Sequence, residues 1–184
     1  MILQGLIHNR LEELTLMNCS KLESLVGNMH MLLPSLRRLW IQTCPRLKSF
    51  PDGGFPSNLQ TLTIECCPRL GLFPNKGFPS NLQTLIINDC PRLELFPDGS
   101  FPSNLHTLII KGCSGLESFH DGGFPSNLKE LTIEYCPRLE SFPEDGFRSN
   151  LHTLIIQGCP EFELFPDGGF HQIPISDNRR LSRT

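Results

Sequence analysis

A repeating unit of 23 residues constrains this chain more than any other feature of its sequence. Five closely similar copies are preceded by a diverged copy and by a looser one that is two residues longer. The seven units begin at Leu11, Leu36, Leu59, Leu82, Leu105, Leu128 and Leu151, and they cover residues 11–170. A short unit repeated at a fixed period predicts a solenoid, in which each unit packs only on its neighbours.

The first half of each unit predicts a β-strand. In the third unit, segment 61–65 reads TLTIE, which alternates polar and apolar residues with the period of two of a strand. Because every unit repeats this strand in the same direction, we expect one parallel sheet. Cys67 is predicted to turn the chain inward, and Pro68 to end the strand because it has no amide N–H to donate.

The second half of each unit predicts irregular or extended structure. Prolines and glycines recur there, and a helix would lose about 3 kcal/mol for each interior proline. Phe73 and Phe78 are expected to point inward, with Gly77 permitting the turn between them. The spacing L-x-x-L-x-[IL]-x-x-C within a period of about 20–29 residues is typical of a leucine-rich repeat. We therefore predict a leucine-rich-repeat solenoid shaped as a horseshoe arc, with the parallel sheet on its concave face and little helix on its convex face.

The two ends depart from this pattern. Residues 1–10 are interpreted as the remnant of a preceding repeat, and residues 171–184 as a polar, disordered tail. Neither end carries the polar capping unit that solenoids normally need, which favours a fragment of a longer array. Met1 to Arg10 has no apolar run long enough for a signal peptide, and no segment resembles a membrane span, so a cytoplasmic location is expected.

The net charge of −3 is too small to favour nucleic acid as a partner. Eight cysteines are present, and seven of them share one register: Cys19, Cys44, Cys67, Cys90, Cys113, Cys136 and Cys159. Cys66 lies outside that register. Since the spacing provides neither C-x-x-C pairs nor interleaved histidines, no zinc site is predicted, and the thiols are expected to be free and to bond to backbone.

The remaining polar residues do not form a recognisable active site. Arg46, Arg69, Arg92 and Arg138 share one register, and Glu94, Glu117, Glu140 and Glu163 follow it two residues later. We interpret these two series as a solvated edge of compensating charges. The histidines, at positions 8, 30, 106, 120, 152 and 171, do not cluster. No catalytic motif or cofactor-binding loop is found, so the sequence predicts no enzyme activity, no cofactor and no metal.

The outward positions of the strands are the candidate binding surface. They vary from unit to unit while the framework around them is fixed, and solenoids use their concave side for recognition. The first unit contributes Glu13, Thr15 and Met17. The predicted protein-binding residues are Arg38, Trp40, Gln42, Thr61, Thr63, Glu65, Thr84, Ile86, Asn88, Thr107, Ile109, Lys111, Glu130, Thr132, Glu134, Thr153, Ile155 and Gln157. The other interpretation is that β-branched residues simply suit a strand surface.

The size of this surface limits what it can bind alone. Seven strands at ~4.8 Å and three residues at ~3.3 Å give about 300 Å² in projection. A standard interface needs about 800 Å² from each partner. A partner is therefore expected to contact flanking loops or further units as well.

Units of the form L-x-x-L-x-I-x-x-C-P-x-L-x-x-F-P, as in Leu82 to Pro97, resemble those of plant intracellular immune receptors of the coiled-coil, nucleotide-binding, leucine-rich-repeat type. The segment CPRLESFP, at Cys136 to Pro143, is especially similar. The resemblance covers about residues 11–170. It implies recognition of a pathogen effector or a guarded host protein, and contact with the receptor's own nucleotide-binding domain. The sequence has no coiled coil, nucleotide-binding domain or phosphate loop of that family.

Two alternatives remain open at this point. The repeats of F-box ubiquitin-ligase adaptors share the cysteine at the turn, but their units are longer and helical on the outer side. A truncated product without independent activity is the other alternative, and the missing caps favour it.

Overall fold

The computed structural model describes residues 8–50, 54–74, 77–96, 101–119, 123–140, 142 and 151–162. Within them the elements are β1 (Glu13–Met17), α1 (Met29–Leu32), β2 (Arg38–Gln42), β3 (Thr61–Glu65), β4 (Thr84–Asn88), β5 (Thr107–Lys111), β6 (Glu130–Glu134) and β7 (Thr153–Gln157). The seven strands form one sheet in chain order, and every pairing is parallel. The predicted fold, a parallel solenoid of leucine-rich-repeat architecture with almost no helix, is confirmed.

Several predictions fall outside the described residues. They concern residues 1–7 of the proposed remnant, the tail at 171–184, and the side chains of Phe147, Phe165, Phe170, His120, His171 and Glu163.

The strands pair in perfect register, so equivalent residues of successive units form straight columns. Leu62 lies beside Leu85, and Ile64 lies beside Ile87. These residues and their equivalents in β5 are fully buried, because they point away from the exposed face of the sheet. Burial of two large aliphatic side chains in each unit supplies the main hydrophobic contribution of the strand layer.

The strands end at a left-handed residue rather than at the proline. In β3 the last strand residue is Glu65, and Cys66 follows it with a φ of 53°. Equivalent residues of all seven units have φ values between 52° and 67°: Asn18, Thr43, Cys66, Asp89, Gly112, Tyr135 and Gly158. The prediction that Pro68 ends the strand is therefore wrong. Pro68 is the second residue of a β-turn, closed by a 3.1 Å hydrogen bond from Leu70 N–H to Cys67 O.

The seven aligned cysteines form a column directly behind this turn. The five interior members, such as Cys67 and Cys113, have no solvent exposure. Cys67 Sγ donates to the Glu65 carbonyl at 3.4 Å, and Cys113 Sγ donates to the Lys111 carbonyl at 3.6 Å. All eight cysteines are free. This confirms the prediction of unbridged thiols that bond to backbone.

Two interleaved columns of phenylalanine rings fill the outer half of the core. Within a column, most successive rings are nearly parallel, as for Phe73 and Phe96, whose centroids are 5.9 Å apart at 10°. Phe119 and Phe142 are an exception, at 33°. Between the columns the rings are tilted, as for Phe96 and Phe101, at 5.1 Å and 59°. Offset and tilted ring pairs of this kind stabilise beyond the area that they bury. The inward orientation predicted for Phe73 is confirmed, and Phe78 also packs against the core as predicted, although it is only half-buried.

Hydrogen bonds also join the units outside the strands. In the corner before β3, Asn58 Nδ2 donates to the Pro34 carbonyl at 2.8 Å, and Asn81, Asn104 and Asn127 repeat this bond one unit apart. On the outer side, Lys48 N–H donates to the Glu23 carbonyl at 3.0 Å. The asparagine bonds and the outer backbone bond both pair backbone groups that irregular segments would otherwise leave without a hydrogen-bond partner.

The first unit contains the helical turn α1, which accommodates its two additional residues. Met29 of this turn is buried.

Candidate protein-recognition face

The exposed side of the sheet, here called the strand face, consists of the first, third and fifth residues of β1–β7. All eighteen residues predicted to bind protein lie on it, because the second and fourth residues of each strand point into the core. The face has three columns. The leading column is Glu13, Arg38, Thr61, Thr84, Thr107, Glu130 and Thr153; the middle column is Thr15, Trp40, Thr63, Ile86, Ile109, Thr132 and Ile155; the trailing column is Met17, Gln42, Glu65, Asn88, Lys111, Glu134 and Gln157.

Accessibility is unequal along the middle column. Trp40 is 40% exposed and Ile155 is 41% exposed, whereas Ile86 and Ile109 are half-buried. Thr132 is only 3% exposed, although it occupies one of the outward positions of its strand. Its neighbours in register are Ile109 and Ile155.

Glu65 is the centre of a hydrogen-bond network that joins three strands. Trp40 Nε1 and Gln42 Nε2 both donate to Glu65 Oε2, each at 3.1 Å. Asn88 Nδ2 donates to Glu65 Oε1 at 3.0 Å. The three donors are neutral, so they fix the orientation of the carboxylate without compensating its charge.

Four other charges on the strand face are paired across neighbouring strands. Lys111 Nζ lies 3.0 Å from Glu134 Oε2, and Arg38 forms an ion pair with Glu13. Asn88 Oδ1 lies beside Lys111 in register and is a buried acceptor with no donor among the described residues. Because exposed ion pairs contribute at most about 1 kcal/mol, they set the charge pattern of the face more than its stability.

The left-handed turn extends the strand face by two side chains that the sequence analysis missed. Tyr135 is 57% exposed, and its hydroxyl accepts a hydrogen bond from Gln157 Nε2 at 3.3 Å. Asp89 is exposed and accepts a weak hydrogen bond from the Cys66 thiol at 3.9 Å. Each comes directly after a residue of the trailing column, Asp89 after Asn88 and Tyr135 after Glu134, so both occupy the same position of the 23-residue unit. Their variation from unit to unit was the signal that could have identified them.

Glycines at the equivalent turn position of the next unit make room for these two side chains. A Cβ atom at Gly112 would lie 2.3 Å from Asp89 Oδ1, and one at Gly158 would lie 2.7 Å from Tyr135 Cδ1. Each glycine therefore permits the bulky residue of the preceding unit to lie over its backbone.

No set of three or more histidine, cysteine or acidic side chains in the described segments is arranged to hold a metal ion. Partial burial, together with the negative charges of Asp89 and Glu65, raises the pKa of the Cys66 thiol. That shift disfavours the thiolate, which is the nucleophilic form of cysteine.

The outer edge carries the compensating charges predicted from the two registers. Arg138 forms an ion pair with Glu117 of the preceding unit, and both side chains are largely exposed. Arg46, Arg69 and Arg92 are also exposed. The ion pair supports the interpretation of this edge as solvated and self-compensating.

Comparison with known proteins adds one structural likeness. No family model matches the sequence, and no curated protein matches it. Among solved structures, the chain is similar to the leucine-rich repeat domain of the type III effector XCV3220 (XopL), with 19% sequence identity and a TM-score of 0.43. The match covers 82% of this chain and 69% of that one. Across the segments that the structure describes, no helix has the length and apolar character needed to cross a membrane.

Proposed function

We propose that this chain is a non-enzymatic protein-recognition module that binds its partner through the strand face. The observation that carries the proposal is a uniform framework with a varied surface. The leucine and cysteine columns repeat in every unit and the phenylalanine columns in every unit after the first, whereas the middle column presents tryptophan, threonine or isoleucine. Trp40 is exposed, and tryptophan is enriched among the residues that dominate binding energy at protein interfaces.

The finer proposal is that the module is the repeat region of a cytoplasmic plant immune receptor. The repeat form of Leu82 to Pro97 supports it, since it resembles that of the coiled-coil, nucleotide-binding, leucine-rich-repeat receptors. In that role the strand face would bind a pathogen effector or a guarded host protein, and the receptor's own nucleotide-binding domain in the resting state. The outer half of the described units contains only the single helical turn α1, which favours this family over the F-box adaptors.

Binding through the strand face is tested by charge substitution in its middle column. Full-length chain is immobilised, and binders are selected from a displayed library of small protein domains. The triple variant Trp40→Glu, Ile86→Glu, Ile109→Glu is expected to lose binding of most selected domains, by about a hundredfold or more, because hot-spot substitutions each cost at least about 2 kcal/mol.

The matched control is the double variant Leu72→Glu, Leu95→Glu. Both leucines are exposed, at 69% and 47%, and lie in the outer halves of their units, away from the strand face. This variant should bind as the wild type does, and circular dichroism should show that both variants remain folded. Equal binding by a folded triple variant and the wild type would disprove the proposed surface.

The family assignment is tested separately, by sequencing the reading frame upstream of the codon for Met1. A nucleotide-binding domain in that frame is the expected result. An F-box in its place would replace the immune-receptor proposal by the ubiquitin-ligase alternative.

A further inference from the structure

We propose that Trp40 and Glu65 together form a site for a cationic side chain, preferably arginine, of the bound protein. The inference rests on the proposed function and specifies the chemistry of the partner. It concerns the part of the strand face built by β2, β3 and β4.

Trp40 presents an aromatic surface that its neighbours leave open. Its partners in register are Thr15 on β1 and Thr63 on β3, which are much smaller than an indole ring. The tryptophan side chain stays 40% exposed in the middle of the sheet. The faces of an indole attract cations through the ring quadrupole, and tryptophan is the strongest aromatic partner for them.

Glu65 supplies the negative charge beside this ring. Its Oε2 atom accepts the indole N–H at 3.1 Å, so the carboxylate is held at the edge of the ring. Gln42 and Asn88 donate neutral hydrogen bonds to the same carboxylate. By contrast, Glu13 and Glu134 each have an ion-pair partner on this face. The charge of Glu65 is thus oriented by the protein and uncompensated by these three donors.

A guanidinium group can contact the Trp40 ring and the Glu65 carboxylate at the same time. Its planar cation stacks on an aromatic face, and its N–H groups form charge-assisted hydrogen bonds with a carboxylate. An ammonium group satisfies the charge but lacks the planar fork. Arginine is therefore the expected occupant, with lysine as a weaker one.

The isoleucines beyond this site predict where the partner places an apolar residue. Ile86 and Ile109 lie two and three strands from Trp40 in the middle column. At ~4.8 Å per strand, these separations are about 10 Å and 14 Å. An extended partner segment that crosses the strands covers them in about three to four residues, at ~3.3 Å per residue. Side chains of an extended segment alternate between its two sides, so the recognised pattern is an arginine with an aliphatic residue four positions away, opposite Ile109.

The experiment uses random dodecapeptides displayed on phage and selected on the immobilised full-length chain. The expected result is enrichment of arginine paired with an aliphatic residue at that spacing. The best sequence is then synthesised with arginine and with citrulline, a neutral analogue of similar shape. Binding is followed by the fluorescence of Trp40, which is the single tryptophan of the chain. Citrulline is expected to weaken binding about tenfold or more, because hydrogen bonds to charged groups contribute about 1.5–3 kcal/mol.

Variants of the protein test which of its residues bind the arginine side chain of the peptide. Glu65→Gln should weaken the arginine peptide about tenfold and leave the citrulline peptide nearly unchanged. Trp40→Phe, whose binding is measured by isothermal titration calorimetry because the variant has no tryptophan, should weaken it several-fold, since the ring is retained but its quadrupole is weaker. Glu94→Gln, which removes an exposed carboxylate from the outer edge, is the matched control and should have no effect.

The outcomes separate this inference from the proposed function. If selected peptides lack a basic residue but lose binding in the middle-column variant, the strand face binds protein and the cation site is wrong. The cation site is also wrong if Glu65→Gln binds the arginine peptide as tightly as Glu94→Gln does. If no peptide binds the strand face in preference to the outer side, the result counts against both proposals.

Discussion

The residue after each strand has a left-handed backbone conformation that its residue type does not predict. All seven equivalent positions are left-handed, yet they include Thr43, Cys66 and Tyr135 as well as two glycines. A left-handed conformation costs a residue with a Cβ roughly 1–2 kcal/mol. The turn retains this conformation because the amide of the same residue continues the ladder, as Tyr135 N–H does by donating to the Gln157 carbonyl at 2.7 Å.

Substitution of Gly112 by alanine tests this constraint. Its φ is 64°, and an added Cβ would lie 2.3 Å from Asp89 Oδ1. Gly112→Ala is expected to lower the free energy of unfolding by about 1–2 kcal/mol, measured by urea denaturation. Gly27→Ala is the control, because a Cβ there meets nothing within 4 Å. If both variants lose the same stability, neither the conformation nor the contact with Asp89 matters.

A second variant separates the cost of the left-handed backbone at residue 112 from the cost of the overlap with Asp89. Asp89→Gly removes the overlapping carboxylate and leaves the left-handed backbone of residue 112 unchanged. Gly112→Ala should therefore cost less in the Asp89→Gly background than in the wild type, by the part that the overlap contributes.

Which residues point outward could be predicted from the sequence, but how they interact could not. Alternation over five residues assigns Leu62 and Ile64 to the core, because a strand has a period of two. The same alternation places Thr132 and Thr63 on the strand face, yet Thr132 is buried and Thr63 is half-buried, although both lie between larger residues in register. Likewise, no local pattern indicates that Trp40, Gln42 and Asn88 all donate to Glu65, since this network requires three strands to be in register.

At the scale of elements, the phenylalanine columns are the main support of the outer half of the units after the first. That half has almost no regular structure, so its rigidity depends on ring packing and on a few hydrogen bonds between units. Phe96 contacts Phe73 and Phe119 in its own column, at 5.9 Å and 5.5 Å, and Phe101 in the other. Only 4% of its side chain is exposed.

Removal of one buried ring should therefore cost as much as a large cavity in a globular core. Phe96→Ala is expected to lower the free energy of unfolding by about 3–5 kcal/mol. Phe78→Ala, at a half-buried ring of the second column, should cost roughly half of that. Urea denaturation of both variants measures the difference. Equal losses would show that the two columns do not differ in packing.

The cysteine column predicts a loss of stability at alkaline pH. Burial raises the pKa of Cys113 from 9.0 to about 11, and it raises that of Cys44 to about 11 as well. Above the unfolded pKa, the unfolded chain has released a proton that the native thiol retains. The free energy of unfolding then falls by about 1.4 kcal/mol per pH unit for each such thiol, until the pH passes the native pKa. The stability contribution is thus fully present below pH 9.0 and is lost by about pH 11.

Cys113→Ser isolates the share of one thiol. Serine does not titrate in this range, so the variant should show a shallower decline in the urea midpoint between pH 9.0 and about 11, under reducing conditions. Its stability at neutral pH is expected to be lower than that of the wild type, because a buried hydroxyl replaces the thiol. A decline as steep as that of the wild type would rule out Cys113 as a contributor.

At the scale of the whole molecule, stability depends on contacts between adjacent units. The hydrogen bonds of Asn58, Asn81, Asn104 and Asn127 each span 24 residues, and the strand pairings join equivalent residues of successive units. A molecule of this kind has approximately one-dimensional energetics, in which each unit is stabilised by its own contacts and by its two interfaces. Opening can therefore begin where an interface is least well packed.

Hydrogen exchange should show this gradient along the sheet. Leu85, Ile87, Leu108 and Ile110 of β4 and β5 are fully buried, whereas Leu14, Leu16, Leu154 and Ile156 of β1 and β7 are half-buried. Amides of β4 and β5 are therefore expected to exchange at least about tenfold more slowly than those of β1 and β7, as measured by mass spectrometry of peptides covering each strand. The four central residues lie in columns that continue on both sides, so opening them requires two interfaces to break. Uniform protection over all seven strands would contradict the one-dimensional description and indicate a single cooperative unit.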